Sequence, residues 1–381
     1  MVARKRAIRL HVKGRLGKVA AMSNTTMTRR AAMAGFGAVA GACVLPALPA
    51  LSAQTRPQLP RQVTPKLVKP PRLREGDVLG LVAPAGFVGD RFGLDQIMAT
   101  VRAMGLEPRP ALHMLQREGY LAGSDRTRAD DLMTMFEDDK VRAIMAVRGG
   151  WGCARLLPLL DFRKIAANPK LFIGFSDNTA LHLAFAARTG VASVHGPNAS
   201  ASWPPAAWAS FHALAFEGAM PTWQVPEGSG ANLSGRGKDL RTFRGGKARG
   251  RLLGGNLSVL TALVGTPYLP DFTGAVLFIE DTNESEYRID RMLTQLALAG
   301  VFDKVAGVVF GQCTGCRNPD GGYSNFTIYE VLDRQFSGLE VPAFQGLQIG
   351  HIAAQLSVPV GLPVEIDADA GTMRLLEPAV S

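Results

Sequence analysis

The chain has 381 residues and a formal net charge of +10, from 42 Lys+Arg against 32 Asp+Glu. Hydrophobic residues at 47% and charged residues at 19% exclude a disordered chain, and four cysteines are too few for a disulfide scaffold. The basic surplus sits at one end: no Asp or Glu precedes Glu75, residues 1–74 hold 15 of the Lys+Arg, and the remainder carries 27 basic against 32 acidic residues. A nucleic-acid partner needs a basic patch on the folded domain itself, so none is expected.

Thr28-Arg29-Arg30 is followed by an uncharged Ala/Gly-rich stretch, Ala31–Leu45, and a small-residue exit ending at Ala53-Gln54. Paired arginines before a mildly apolar core describe an export signal of the twin-arginine type over residues 1–53, and hence a periplasmic protein. The glycines at 35, 37 and 41 argue against a stable helix in water. Residues 54–72, with five prolines from Pro57 to Pro71, read as an extended tether. No apolar run reaches the roughly 20 residues of a membrane helix, so no stable insertion is expected after signal removal.

Residues 73–200 alternate apolar runs with helical segments. The run Val78–Gly86, ending in Pro and Gly, and Val141–Val147, Leu171–Phe175 and Val191–Pro197 read as strands; about Asp95–Met104 and Thr179–Arg188 read as helices. The pattern predicts an α/β, Rossmann-like domain with a parallel sheet, whose ligands bind beyond the strand carboxyl ends. The loops Pro84–Phe87, Arg148–Gly152 and Ser176–Thr179 converge there. Residues 201–245, with Trp203, Trp208, Trp223 and a Gly/Ser-rich stretch at 227–237, read as a connecting insertion. Residues 246–381 read as a smaller, β-rich α+β domain. Its elements are a strand Ala275–Ile279 ending in Glu280-Asp281, a helix Ile289–Ala299, a strand Val305–Phe310, and short β segments at 364–367 and 372–376.

Gly174-Phe175-Ser176-Asp177 places a serine between an apolar strand and a helix. A sharp turn there projects the hydroxyl as a nucleophile, and the same residues also suit a helix N-cap, which the local pattern alone favours. Of six histidines, His351 follows Gly350 in a late loop and is the candidate base; locally it is equally an ordinary surface histidine. Glu280, leaving a buried strand, is a carboxylate that needs a partner: the base, or Arg288 or Arg291 in a salt bridge. The amides of Asp177 and of Gly149 or Gly150 are candidate oxyanion donors. Arg148 and Asn256 are candidates to hold a substrate carboxylate or amide. Cys313-Thr314-Gly315-Cys316 is a lone C-x-x-C with no second pair, and no G-x-G-x-x-G follows the first strand, so neither a metal nor a dinucleotide cofactor is expected.

In order along residues 75–370, the segments Leu81–Gly86, Arg148-Gly149-Gly150-Trp151-Gly152, Gly174–Thr179, His195-Gly196-Pro197, Gly254–Leu257, Gly265-Thr266-Pro267, Glu280-Asp281 with Tyr287–Arg291, and Gly350-His351 resemble the serine LD-carboxypeptidases, the murein tetrapeptide carboxypeptidase family. The resemblance implies that Ser176 is the nucleophile and not a cap, that Glu280 and not Glu284 is the orienting carboxylate, and that His351 is the base. It also implies a site between the two domains, a homodimer, and release of terminal D-alanine from a muropeptide stem. Two other readings remain within this fold. One is a self-immunity peptidase acting on a peptidyl-nucleotide, for which Trp151 or a Trp of the insertion would stack the base. The other is an inactive periplasmic binding protein.

Overall fold

The computed structural model describes residues 64–226, 240–317 and 325–381. The expected signal, the start of the tether and the Gly/Ser-rich stretch lie outside the described residues. The described part of the tether is extended and anchored: Val68 bridges Val191 in parallel, and Leu73 N–H donates to Ala215 O.

The first sheet holds β1 (Val78–Val82), β2 (Glu107–Pro110), β3 (Val141–Ala146), β4 (Leu171–Gly174) and β5 (Ser193–His195). They run parallel in the order β5-β4-β3-β1-β2. The near-continuous apolar composition of β1, β3 and β4 follows from burial on both faces. Two helices fall in this half before β3: α1 (Arg91–Ala103) and α2 (Asp125–Glu137). α1 starts before Asp95 because Asp90 Oδ1 accepts from Gly93 N–H and so fixes the cap earlier. Two short helices follow, α3 (Cys153–Leu156) and α4 (Phe162–Ala167), and then α5 (Thr179–Arg188). Every residue of α5 from Thr179 to Ala186 is buried, because the helix packs against β5 on one side and the second sheet on the other.

The insertion is more regular than a connection. Pro205–His212 forms α6, and Thr222–Gln224 (β6) and Arg241–Arg244 (β7) become the two edges of the second sheet. Trp223 is buried, and Trp203 and Trp208 pack on Phe211. The rest of that sheet comprises β8 (Lys247–Asn256), β9 (Val276–Thr282), β10 (Gly307–Thr314), β11 (Ala343–Gln345), β13 (Pro363–Asp367) and β14 (Thr372–Leu375), in the order β6-β14-β13-β8-β9-β10-β11-β7. It is β-rich as expected and, with eight strands, wider than the first. Strands β8 to β11 run parallel and the outer pairs antiparallel. Its helices are α7 (Leu257–Ala262), α8 (Glu286–Leu298) and α9 (Ile328–Phe336). β12 (Val358–Val360), late in the chain, crosses back and pairs antiparallel with β5. This crossing ties the His351 loop to the sheet that carries Ser176. Among the described residues no helix is long and apolar enough to cross a membrane.

Candidate active site

Ser176 follows β4 at the first position of a tight turn leading into α5, with φ of 63°. A left-handed conformation at a residue with a Cβ is strained, and here the flanking strand and buried helix impose it. Two asparagines brace the turn. Asn178 Nδ2 donates to Phe175 O at 2.9 Å, and Asn198 Oδ1 accepts from Phe175 N–H and from Asn178 Nδ2, each at 3.2 Å. Sequence reasoning did not single out Asn198; its place directly after His195-Gly196-Pro197, beyond a strand carboxyl end, was the available signal.

His351 enters from the other half. Gly350 before it has φ of 119°, the turn that the glycine makes accessible. His351 Nε2 lies 3.0 Å from Ser176 Oγ, and His351 Nδ1 lies 2.7 Å from Glu280 Oε2. The consistent proton placement has Nδ1–H donating to the carboxylate and Nε2 accepting from the serine hydroxyl. The Phe175 ring packs on the imidazole at 4.7 Å between centroids. Glu280 is fully buried in β9, and this burial pushes its carboxyl above the usual range, opposed by the hydrogen bond from His351. Arg288 instead approaches Glu284, at 3.6 Å.

The glycine loop Arg148–Gly152 abuts the serine. A Cβ added to Gly149 would lie 2.8 Å from Ser176 Cβ and 3.0 Å from its Oγ, so a side chain fits at this position only if the serine or the loop shifts. Neither the Gly149 nor the Gly150 amide has a hydrogen-bond partner among the described residues. Asp177 turns its side chain away from the cleft: Oδ2 accepts from Cys153 N–H at 2.7 Å, linking the serine turn to the end of the glycine loop. Burial raises the Asp177 carboxyl above its ordinary value.

Arg128, another residue sequence reasoning missed, is buried on α2. It donates to the carbonyls of Pro84 and Gly152 and, from Nε, to Gly123 O at 3.3 Å. One guanidinium thus fastens the loops after β1 and β3 together. Its signal was a cation on the apolar stripe Ala129, Leu132, Met135 and Phe136.

A cleft of about 520 Å³ opens beside these groups, with Phe87, Arg148, Gly149, Ser176, Asn198 and His351 in its wall. Asn256, a candidate substrate residue, is not brought there. It is nearly buried, its Oδ1 caps α7 by accepting from Val259 N–H, and its Nδ2 donates to Asp281 at 3.2 Å. Packing against α5 through the Thr179 hydroxyl, which accepts from Asn256 N–H, accounts for its position. The other buried histidines serve the framework: His182 bonds Ser193 Oγ and Gly174 O, and His195 lies among Phe175, Phe278 and His182 rings. Cys313 and Cys316 are bonded to each other, and among the described residues no group of three or more metal-ligating side chains converges.

The chain matches the LD-carboxypeptidase N-terminal domain over residues 79–196 and the LD-carboxypeptidase C-terminal domain over residues 249–366. It is 34% identical over 313 residues to a protein of Bacillus subtilis named probable murein peptide carboxypeptidase, covering 82% of this chain and 95% of that protein. It is 30% identical over 343 residues to the microcin C7 self-immunity protein of Escherichia coli, covering 79% and 97%. The solved muramoyltetrapeptide carboxypeptidase of Oxalobacter formigenes superposes with a TM-score of 0.67 at 28% identity, over 78% of this chain and 97% of that one.

Proposed function

The chain belongs to the LD-carboxypeptidase family of hydrolases, and on that premise we propose that it releases the terminal D-alanine from murein tetrapeptides by serine catalysis. The observation that carries this reading is the pair of hydrogen bonds from Ser176 Oγ through the His351 ring to Glu280, at the wall of an open cleft. Ser176 Oγ attacks the carbonyl of the L,D-amide while His351 Nε2 takes its proton. Buried Glu280 holds Nδ1–H and stabilises the imidazolium that forms. The amides of Asp177 and of Gly149 or Gly150 receive the oxyanion, an effect worth about 3–4 kcal/mol per donor. His351 returns the proton to the departing D-alanine amine, and water then hydrolyses the acyl-serine by the same path reversed.

The peptidyl-nucleotide reading wants an aromatic face for a base. The tryptophans of the insertion are taken up in packing, which leaves half-exposed Trp151 beside the glycine loop. Incubation of the purified protein with a murein tetrapeptide and with an aminoacyl-sulfamoyl nucleotide, read by mass spectrometry, decides. Release of D-alanine and tripeptide by the wild type but not by Ser176→Ala supports the proposal. Cleavage of the nucleotide conjugate alone replaces it with the rival.

We further propose that the twin-arginine segment carries the protein to the periplasm, beside the wall that supplies the peptide stems, and that it works there as a homodimer. Fractionation of cells expressing the chain with Arg29-Arg30 replaced by Lys-Lys tests the route: retention of the variant in the cytoplasm supports it, unchanged export refutes it. Light scattering of the purified protein tests the dimer.

A further inference from the structure

Among the residues that wall the cleft, Arg148 is the one permanent cation, and none is Asp or Glu. The nearest carboxylate of the reaction machinery, Glu280, is fully buried behind His351. Arg148 is exposed and has no acidic partner among the described residues. Its guanidinium is nevertheless held in place. Nη1 donates to Phe87 O at 3.2 Å, and the side chain lies across Gly86 so closely that a Cβ there would stand 3.1 Å from Nε. One edge of the fork is thereby tethered and the rest is left to the cleft. A surface arginine without an acid costs little in water, but one tethered at the wall of a substrate cleft is preorganised for an anion.

The next residue along, Gly149, is the one pressed against Ser176. An arginine one residue removed from that contact stands a side-chain length from the attacked carbonyl. In a peptide whose last residue is being removed, the terminal carboxylate carbon lies about 4 Å beyond that carbonyl carbon, three bonds away. We propose that Arg148 reads the chain end: its guanidinium binds the terminal carboxylate of the departing residue, and this confines cleavage to the last bond. The inference rests on the carboxypeptidase reading and deepens it, because it assigns exopeptidase specificity to one charge. A chain prolonged by one residue carries its carboxylate past the fork and presents an uncharged amide there instead.

The test compares a tetrapeptide ending in a free carboxylate with the same tetrapeptide ending in a primary amide, which removes the charge with little change in size. Wild type, Arg148→Gln and Arg148→Lys are assayed for release of the last residue, with kcat and KM resolved and folding checked by near-UV circular dichroism. The wild type is expected to favour the acid by about 10²-fold in kcat/KM, as for a charge-assisted hydrogen-bonded pair. Arg148→Gln should bring that ratio close to one, chiefly by raising KM for the acid, and Arg148→Lys should keep part of it. A ratio in Arg148→Gln equal to that of the wild type, or a wild type indifferent to the amide, overturns the inference and leaves the carboxypeptidase reading standing. Failure of the wild type to release the last residue from either peptide overturns both.

Discussion

The Cα of Gly149 approaches Ser176 so closely that a methyl group at 149 would begin 2.8 Å from the serine Cβ. The glycine is therefore part of how the hydroxyl is aimed. Gly149→Ala should push the serine or the loop by a fraction of an ångström and lower kcat by about 10²-fold, the scale set by small misplacements of reacting groups. KM should change little, and the melting temperature should stay within a few degrees of the wild type. Steady-state kinetics beside a thermal melt checks this, and unaltered kcat would show that the loop gives way without consequence.

Ser176 is held at φ of 63°, where a Cβ costs roughly 1–2 kcal/mol and glycine avoids the cost. Ser176→Gly should therefore be at least as stable as the wild type and more stable than Ser176→Ala, while both lose turnover. Denaturant unfolding of the three proteins gives the order. A Ser176→Gly variant less stable than Ser176→Ala would mean that the turn carries no strain.

His182 is buried in its neutral form, with its pKa pushed down by burial from 6.5 to about 4. Below pH 6.5 the unfolded chain takes a proton that the folded chain refuses, so stability present at neutral pH is lost as pH falls toward 4. His182 accounts for about 2 kcal/mol of that loss between pH 7 and pH 5. His195 is depressed in the same direction by its own burial and adds to the slope. Urea unfolding at the two pH values should give a strong dependence in the wild type, and His182→Gln should weaken it by about one proton. An unchanged slope would remove His182 from the account.

Arg128 carries three backbone carbonyls, Pro84 O after β1, Gly123 O just before α2 and Gly152 O after β3. Arg128→Met should destabilise the fold by about 3 kcal/mol, because buried acceptors lose their partner. The glycine loop should also loosen, lowering kcat at temperatures where the variant remains folded. Hydrogen exchange at Gly149–Cys153 is the direct readout: protection equal to the wild type would show that the loop holds itself.

The features legible in the sequence are those encoded locally. Apolar runs buried on both faces gave β1, β3, β4 and β9, and marked Ser176 and Glu280 at their carboxyl ends as candidates; the local pattern alone favours a helix cap for Ser176 and allows a salt bridge for Glu280, and the family resemblance decides their roles. What was not legible depends on distant packing. The edge strands β6 and β7 have mixed sequences that become strands only by pairing with β14 and β11. Arg128 and Asn198 act mainly on backbone groups, so the side-chain pattern could mark their positions but not the partners they hold. Asn256 looks like a polar residue in a loop, but its Oδ1 is used up capping α7 and its Nδ2 is used up on Asp281 of β9. The meeting of Ser176 with His351, 175 residues later, was reached through family resemblance and not through spacing.

The most direct measurement of whether Ser176, His351 and Glu280 act as one unit is a kinetic cycle on a murein tetrapeptide with Ser176→Ala, His351→Ala and the double variant, and Glu280→Gln alongside. If they share one proton path, each alanine variant should lose roughly 10⁴–10⁶ in kcat, the double variant should lose no more than the worse single, and Glu280→Gln should fall short of both. Losses that multiply in the double variant, or a His351→Ala enzyme that turns over at the wild-type rate, would contradict the account.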